Sequence, residues 1–180
     1  DLTDTNPAAE VEMLPSNNPE GFHAWSISDL EQYERTHPIG TKARLALALF
    51  LYTGQRKGDV VRIGRQHVRD GWISIRQQKT GMLVDIPILD ALQKNIDASP
   101  TGDLTYIVTS FNKPFTANGF GNRMRKWCNE AGLPECSSHG LRKAMATRLA
   151  NLGCSTHEIS AIGGWETLKE VERYTKQANR

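Results

Sequence analysis

A nearly all-apolar helix in the first third of the chain constrains the fold more than any other sequence feature. Residues 41–53 are apolar almost all the way round a helix, and Gly54 follows as its expected end. Such a helix is stable only when other elements cover most of its surface. The chain has 180 residues, 38% of them hydrophobic, which is enough to supply that cover. We therefore predict one compact domain built around this helix.

The remaining patterns predict further helices and one small sheet. Ser28 with Glu31 forms a capping-box pattern at the start of the first helix, and Ser155 with Glu158 forms another late in the chain. Alternating runs at 72–76 and 82–88 predict a β-hairpin with a polar tip. A short strand is expected at 106–108, and helices are expected at 28–35, 90–98, 117–131, 138–152, 156–162 and 168–178. The predicted fold class is mainly α with a small antiparallel β-sheet, that is, α+β.

Composition separates an N-terminal segment from a domain and argues against a secreted or membrane-spanning protein. Residues 1–24 are rich in proline and small polar residues without periodicity, so we predict a linker or extended N-terminal segment before a domain at 25–180. Three cysteines without a framework pattern, no signal-peptide pattern and no apolar run of membrane-spanning length favour a cytoplasmic protein. A net charge of +2 permits a nucleic-acid partner without indicating one.

Two pairs of residues would suit a bound phosphate. Arg56 follows the turn at the end of the apolar helix, and Asp59 lies three residues later. His139 and Arg142 share one face near the start of a predicted helix, where backbone amides and the helix dipole favour an anion. Alone, Arg56 and Asp59 would be read as a surface ion pair. Two arginines, a histidine and a helix N-terminus together favour a phosphate site.

Three further residues are ambiguous when taken singly. Lys79 lies in the hairpin tip, where a lysine is ordinarily solvated. Trp165 follows two glycines and Tyr174 lies on the last predicted helix, and both positions are ordinarily packing sites. None of the three identifies an enzyme by itself.

In combination, these residues resemble the catalytic domain of the tyrosine recombinases, the phage integrase family. The run 53–61 is similar to the family's first motif, and Lys79 falls where the family carries a hairpin lysine. His139 and Arg142 match the His-x-x-Arg motif. Tyr174 stands nine residues after Trp165, the family's spacing between its last conserved site position and its nucleophile, although that position is usually histidine. The resemblance covers residues 25–175.

The resemblance implies the tyrosine recombinase catalytic-domain fold and a site-specific recombinase activity. Such an enzyme cleaves and rejoins DNA through a covalent 3′-phosphotyrosine, without metal, ATP or another cofactor. The implied partners are double-stranded DNA and further protomers assembled on it, in a bacterial or phage-encoded system. The residues expected to act are Arg56, Lys79, His139, Arg142, Trp165 and Tyr174 in catalysis, Asp59 in support, and Arg123, Arg125 and Lys126 in DNA binding.

The expected roles combine this resemblance with the chemistry of each group. The resemblance makes Tyr174 the nucleophile and Lys79 the proton donor to the leaving 5′-oxygen. Two guanidiniums can clamp the phosphoryl oxygens, and His139 can assist ionisation of a phenol whose ordinary pKa is about 10. Trp165 would donate its indole N–H to a phosphoryl oxygen, while Asp59 would orient the arginine or the histidine.

Other interpretations stay open at this point. A type IB topoisomerase-like domain would use similar chemistry to relax supercoils, and a catalytically silent DNA-binding domain could retain the fold. The pairs Cys136-x-x-His139 and Cys154-x-x-His157 could hold zinc, although each lies in or beside a predicted helix rather than on a knuckle turn. Because family members usually carry an additional N-terminal domain, we expect an isolated catalytic fragment with weak, salt-sensitive DNA binding.

Overall fold

The computed structural model describes residues 21–175, which form eight helices and a small sheet. The helices are α1 (Ile27–Thr36), α2 (Lys42–Thr53), α3 (Lys57–Val60), α4 (Asp90–Ala98), α5 (Ala117–Glu130), α6 (Ser138–Asn151), α7 (Thr156–Gly163) and α8 (Leu168–Thr175). The antiparallel sheet has the order β1 (Val68–Arg69), β2 (Trp72–Arg76) and β3 (Leu83–Pro87). The predicted fold class is confirmed. In this part of the chain no helix combines the length and apolar character needed to cross a membrane.

Helix α2 is the centre of the core, as predicted. It is buried on nearly every side and packs against α4, α5 and α6. The Thr41 side chain caps its start by accepting a hydrogen bond from the Arg44 amide at 3.1 Å. Gly54 ends it with φ of 64°, and a Cβ there would lie 1.8 Å from Met145 Cε. The left-handed backbone conformation therefore favours glycine, and any larger residue would also displace the end of the Met145 side chain.

The hairpin of β2 and β3 is confirmed and lies with one face against the core. Ile73 pairs with Ile86 and Ile75 pairs with Val84, and all four side chains are buried. The tip at 77–81 is closed by backbone hydrogen bonds between its two ends. The two-residue strand β1, the short helix α3 and a 3₁₀ turn at Arg65–His67 are too short to give a periodic pattern, and the sequence did not predict them.

The N-cap of α1 was predicted at the wrong serine. Ser26, not Ser28, is the N-cap, and Asp29 closes the capping box by accepting from the Ser26 amide at 2.8 Å. The tertiary structure selects this register, because buried Trp25 donates its indole N–H to Ser137 O at 2.8 Å and fixes the chain just before Ser26.

The strand predicted at 106–108 is also wrong. These residues are buried, but the Tyr106 amide donates to Ile63 O, and Val108 forms an isolated bridge with Pro114. A short buried apolar run gives the same pattern whether or not it joins a sheet. Residues 1–20 of the predicted N-terminal segment and 176–178 of the last predicted helix lie outside the described residues.

Candidate active site

A cationic cavity of about 640 Å³ opens between the first turn of α6, one face of α5 and the loop that joins α2 to α3. Four of the residues that line it are arginine or lysine, and the described lining residues include no carboxylate. An anion is therefore the natural occupant. The lining residues are Phe22, Gln55, Arg56, Lys57, Asn118, Gly121, Asn122, Arg125, Ser137, Ser138, His139 and Arg142.

Arg142 is the most enclosed cation of the site. Ser137 caps α6, which places His139 and Arg142 on one face of its first turns. The Arg142 side chain is 3% exposed, and its Nη1 donates to Gly54 O and, at 2.7 Å, to Gly163 O. Its Nη2 is buried without a hydrogen-bond partner among the described residues. A buried donor of this kind is costly unless a ligand or water completes it.

The surroundings of Arg142 disfavour its charge. Its pKa is lowered to about 9, first by burial and then by repulsion from Arg56, while Tyr174, Glu170 and Asp59 oppose the shift. The guanidinium remains charged at neutral pH, in keeping with the high intrinsic pKa of arginine. A bound anion would relieve both the repulsion and the unpaired donor.

Trp165 connects Arg142 with Tyr174. The Arg142 Cζ lies 3.8 Å from the centroid of the Trp165 ring, and the Trp165 and Tyr174 rings lie 6.0 Å apart. Gly163 makes this arrangement possible, since a Cβ there would lie 1.9 Å from Trp165 Cζ3. Trp165 is 4% exposed, so it supports the guanidinium from the core side with its ring face.

Arg56 precedes α3 as its N-cap and is held by a residue that the motif analysis missed. Its Nη1 donates to Gln77 Oε1 at 3.0 Å, and Gln77 in turn contacts Gln55 at 2.6 Å. Both glutamines are buried. The sequence did contain an indication of this role. Gln77 follows Ile73 and Ile75 at the two-residue spacing of the buried face of the strand, where a polar residue is unexpected.

Asp59 supports the hairpin rather than the arginine or histidine that it was expected to orient. Its buried Oδ1 accepts from the Gln78 amide at 2.9 Å and from Arg62 Nη1 at 3.2 Å. Within 21–175 its carboxylate bonds neither to the Arg56 side chain nor to His139, although its backbone amide donates to Arg56 O at 2.8 Å in the α3 turn. Asp59 therefore ties α3 to the base of the hairpin tip.

His139 lines the cavity as a neutral base. Its ring lies 4.8 Å from that of Phe22, and its pKa is lowered from 6.5, first by desolvation and then by the nearby cations. Those cations are Arg142, Lys143, Arg56 and Lys79. At neutral pH the imidazole can accept a proton, and an anion in the cavity would oppose the shift.

Lys79 and Tyr174 lie beside the cavity but do not line it. Lys79 is exposed at the hairpin tip and forms no hydrogen bond or ion pair with the described part of the chain. Tyr174 is half-buried, its backbone carbonyl accepts from Thr147 Oγ1 at 3.4 Å, and Lys143 Nζ lies 5.7 Å from its ring centroid. The structure thus brings all six expected catalytic residues into one region, with different degrees of restraint.

The three basic residues of α5 do not share one surface. Arg125 lines the cavity and donates to Pro134 O. Arg123 lies over Trp127, with Cζ 5.0 Å from the ring centroid, and lines a second cavity. Lys126 is exposed. Among the three, Arg125 alone extends the cationic cavity.

The two Cys-x-x-His pairs do not form a joint metal site. Among the described residues, the metal-ligating atoms that come together are those of His23, Asp29 and Cys136, within 4.8 Å of one another, and this group lacks His139 and the second pair. The Asp29 carboxylate already serves the α1 capping box and His23. Burial raises the pKa of the Cys136 thiol to about 12.

The sequence of this chain is similar to those of known proteins. Residues 24–180 match the model of the phage integrase family. The integrase of Escherichia phage HK022 is 30% identical over 56% of this chain and 31% of that integrase. The tyrosine recombinase XerC 2 of Ralstonia nicotianae is 26% identical over 94% of this chain and 54% of that protein. The chain therefore spans between about a third and about half of these relatives.

Solved structures share the fold. A lambda integrase (75-356) dimer bound to a COC′ core site matches with a TM-score of 0.72 at 21% identity, over 88% of this chain and 60% of that one. The XerA recombinase matches with a TM-score of 0.74 at 20% identity, over 91% and 61%. At these identities the likeness establishes the architecture, and chemistry is argued from the residues themselves.

Proposed function

This chain belongs to the phage integrase family, and from that premise we propose that it is the catalytic part of a site-specific DNA recombinase. Residues 25–180 would cleave and rejoin a DNA strand through a covalent 3′-phosphotyrosine at Tyr174. One observation carries the proposal: Arg142 is buried with an unpaired donor beside Arg56, and Trp165 connects it with Tyr174. This is an anion site with a nucleophile beside it.

Charge stabilisation in this reaction is assigned to the two arginines. Attack on a phosphodiester builds negative charge on the non-bridging oxygens of phosphorus. Arg142 and Arg56 are charged and are held by Gly163 O and Gln77 Oε1, so their donors need little reorganisation when that charge develops. Without a ligand the two guanidiniums repel each other. A bound phosphoryl group attracts both of them.

Proton transfer is assigned to His139 and Lys79. The phenol oxygen of Tyr174 forms a bond to phosphorus while the bond from phosphorus to the 5′-oxygen breaks. Neutral His139 takes up the phenolic proton, and Lys79 gives a proton to the leaving 5′-oxygen. One phosphoester bond replaces another, so the reverse attack by a 5′-hydroxyl reseals the strand without an external energy source.

The partners are part of the same proposal. The substrate would be double-stranded DNA, and several protomers would assemble on it. Support comes from the matching lambda integrase structures, which were solved as a dimer bound to a COC′ core site and as a tetramer bound to a Holliday junction. The DNA would be that of a bacterial host or phage, and the protein would act in the cytoplasm.

A covalent-capture experiment tests the proposal without knowledge of the target site. The chain is incubated with duplexes that carry a randomised central sequence and a nick on either strand. Adducts that survive denaturation are isolated, their DNA is sequenced, and the linked residue is mapped by mass spectrometry. We expect Tyr174 to carry the adduct on a restricted set of sequences, and Tyr174→Phe to give none.

Each other outcome selects a different function. Adducts at Tyr174 without sequence preference, together with relaxation of plasmids, would indicate a topoisomerase-like enzyme. DNA binding without any adduct would indicate a silent DNA-binding domain. An adduct on another residue would overturn the assignment of the nucleophile.

A further inference from the structure

We propose that Gln77 is a positioning residue, which holds Arg56 and the Lys79 hairpin in register with the Arg142 side of the site. This inference rests on the proposed function, because its catalytic consequence requires that function. Gln77 is 1% exposed, lies where β2 enters the hairpin tip, and contacts three separate parts of the site.

The Gln77 amide uses its full hydrogen-bonding capacity. Its Nε2 donates to Gln55 Oε1 at 2.6 Å and to Gly163 O at 2.8 Å. Its Oε1 accepts from Arg56 Nη1 at 3.0 Å and from Thr80 Oγ1 at 2.8 Å. A primary amide offers two donors and two acceptor positions, so its orientation is fixed by four different partners.

These bonds join the two arginines into one network. Gly163 O accepts from both Gln77 Nε2 and Arg142 Nη1, and Gln77 Oε1 accepts from Arg56. The Gly163 carbonyl and the Gln77 amide therefore set the distance between the Arg56 and Arg142 guanidiniums. Thr80 neighbours Lys79 in the tip, so the same amide also restrains the segment that carries the proton donor.

The space that this amide occupies restricts which residues fit at two positions of the chain. Gly164 has φ of 65°, and a Cβ there would lie 2.4 Å from Gln77 Nε2. Gln77 also continues the inward phase of β2, a position at which an apolar side chain would pack without needing partners. Burying an amide there is favourable only because all its partners are present.

Two variants separate positioning from the general loss of a side-chain amide that is hydrogen-bonded within the protein. Gln77→Met keeps the length of the side chain and removes the amide. Gln32→Met makes the same change in α1, where Gln32 Nε2 donates to Ala131 O at 2.6 Å away from the cavity. In single-turnover cleavage of a captured substrate, we expect Gln77→Met to be about 100-fold slower, since small misplacements cost that much. Gln32→Met should stay within about twofold of the unmodified chain.

A double-mutant cycle tests whether the effect passes through Arg56. In an Arg56→Ala background, Gln77→Met should slow cleavage by less than about tenfold, because its main partner is already gone. A full 100-fold loss in both backgrounds would overturn positioning of Arg56. Equal losses for Gln77→Met and Gln32→Met would overturn it as well.

A spectroscopic measurement keeps this inference separate from the proposed function. With ¹⁵N-labelled arginine, we expect rotation of the Arg56 guanidinium to be slow in the unmodified chain and fast in Gln77→Met and Gly164→Ala. Fast rotation in the unmodified chain would overturn the inference. If rotation changes as expected but no adduct forms at Tyr174, the hydrogen-bond network stands and the proposed function fails.

Discussion

Arg142 and Lys79 are two cations assigned to one reaction, and their surroundings differ completely. Arg142 is 3% exposed and is fixed by two backbone carbonyls and a tryptophan ring. Lys79 is exposed at a hairpin tip, without a hydrogen bond to the described residues. A group that stabilises developing charge gains from being fixed beforehand, whereas a proton donor must reach an atom supplied by the substrate. With these assigned roles, the site has an enclosed anion-binding side and an exposed proton-transfer side.

The largest effect is expected from removing the rigid cation. Arg142→Ala should slow cleavage about 10³-fold, because a preorganised donor to the transition state is lost. It should also lower the thermal midpoint, since Gly54 O loses the buried Arg142 donor and Gly163 O keeps only its bond from Gln77. Single-turnover kinetics and calorimetry measure both, with exposed Arg148→Ala on the same helix as control. Cleavage within tenfold of normal would contradict the assignment.

Removal of the exposed cation, Lys79, should lower the rate of cleavage without changing the stability of the fold. Lys79→Ala is expected to slow cleavage about 10²-fold, as for loss of a general acid, while thermal unfolding stays unchanged. A substrate with sulfur in place of the leaving 5′-oxygen sharpens the test, because a thiolate leaves without protonation. That substrate should restore cleavage by Lys79→Ala but not by Arg142→Ala. If this substrate restored cleavage by both variants, or by neither, the two cations would not have the different roles assigned to them.

A smaller effect is expected from the histidine between the two sides. The pKa of His139 lies below 6.5 without a ligand, and a bound anion favours its protonated form. Anion binding therefore takes up a proton, so affinity must rise as the pH falls through this range. We expect sulfate, titrated by NMR, to bind several-fold more tightly near pH 5.5 than near pH 7.5. Removing the base in His139→Gln should flatten this dependence, and an equally steep dependence in the variant would assign it to another group.

The smallest effect concerns contacts outside the reacting centre. Arg125 lines the cavity, whereas Arg123 is turned onto Trp127. Arg125→Gln should reduce the slope of log affinity against log salt by about 0.9, the value for one lost phosphate contact. Arg123→Gln should leave the slope unchanged. Equal reductions would show that both arginines reach DNA and that α5 presents a broader surface than its cavity side.

The sequence predicted the elements of this fold well wherever periodicity was long. The bounds of α2, α4 and α6 agree with the expectation to within a residue, and the hairpin is placed correctly. One error concerned the start of α1: Ser28 was predicted as the N-cap, whereas Ser26 holds that position, next to Trp25 and its contact with Ser137, distant in sequence. The buried run at 106–108 failed for the same reason, since partners in a sheet are not encoded locally.

The candidate site shows the same division. The identities of Arg56, His139 and Arg142 were evident from the chain, because each belongs to a short motif at the end or start of a helix. The role of Gln77 was not, because its four hydrogen bonds join residues up to 86 positions apart. Asp59 illustrates the limit most clearly: its spacing suggested Arg56 as partner, while the fold gave it the Gln78 amide.

By itself, the sequence determined the helical character of the chain, its central helix and the chemical groups of its site, since these depend on local periodicity and residue type. Only the tertiary structure decided which of those groups are fixed and which are free. Burial, shared carbonyl acceptors and the space left by Gly163 and Gly164 arise between elements that are distant in sequence. Their energies depend on distance and desolvation, which no local pattern contains.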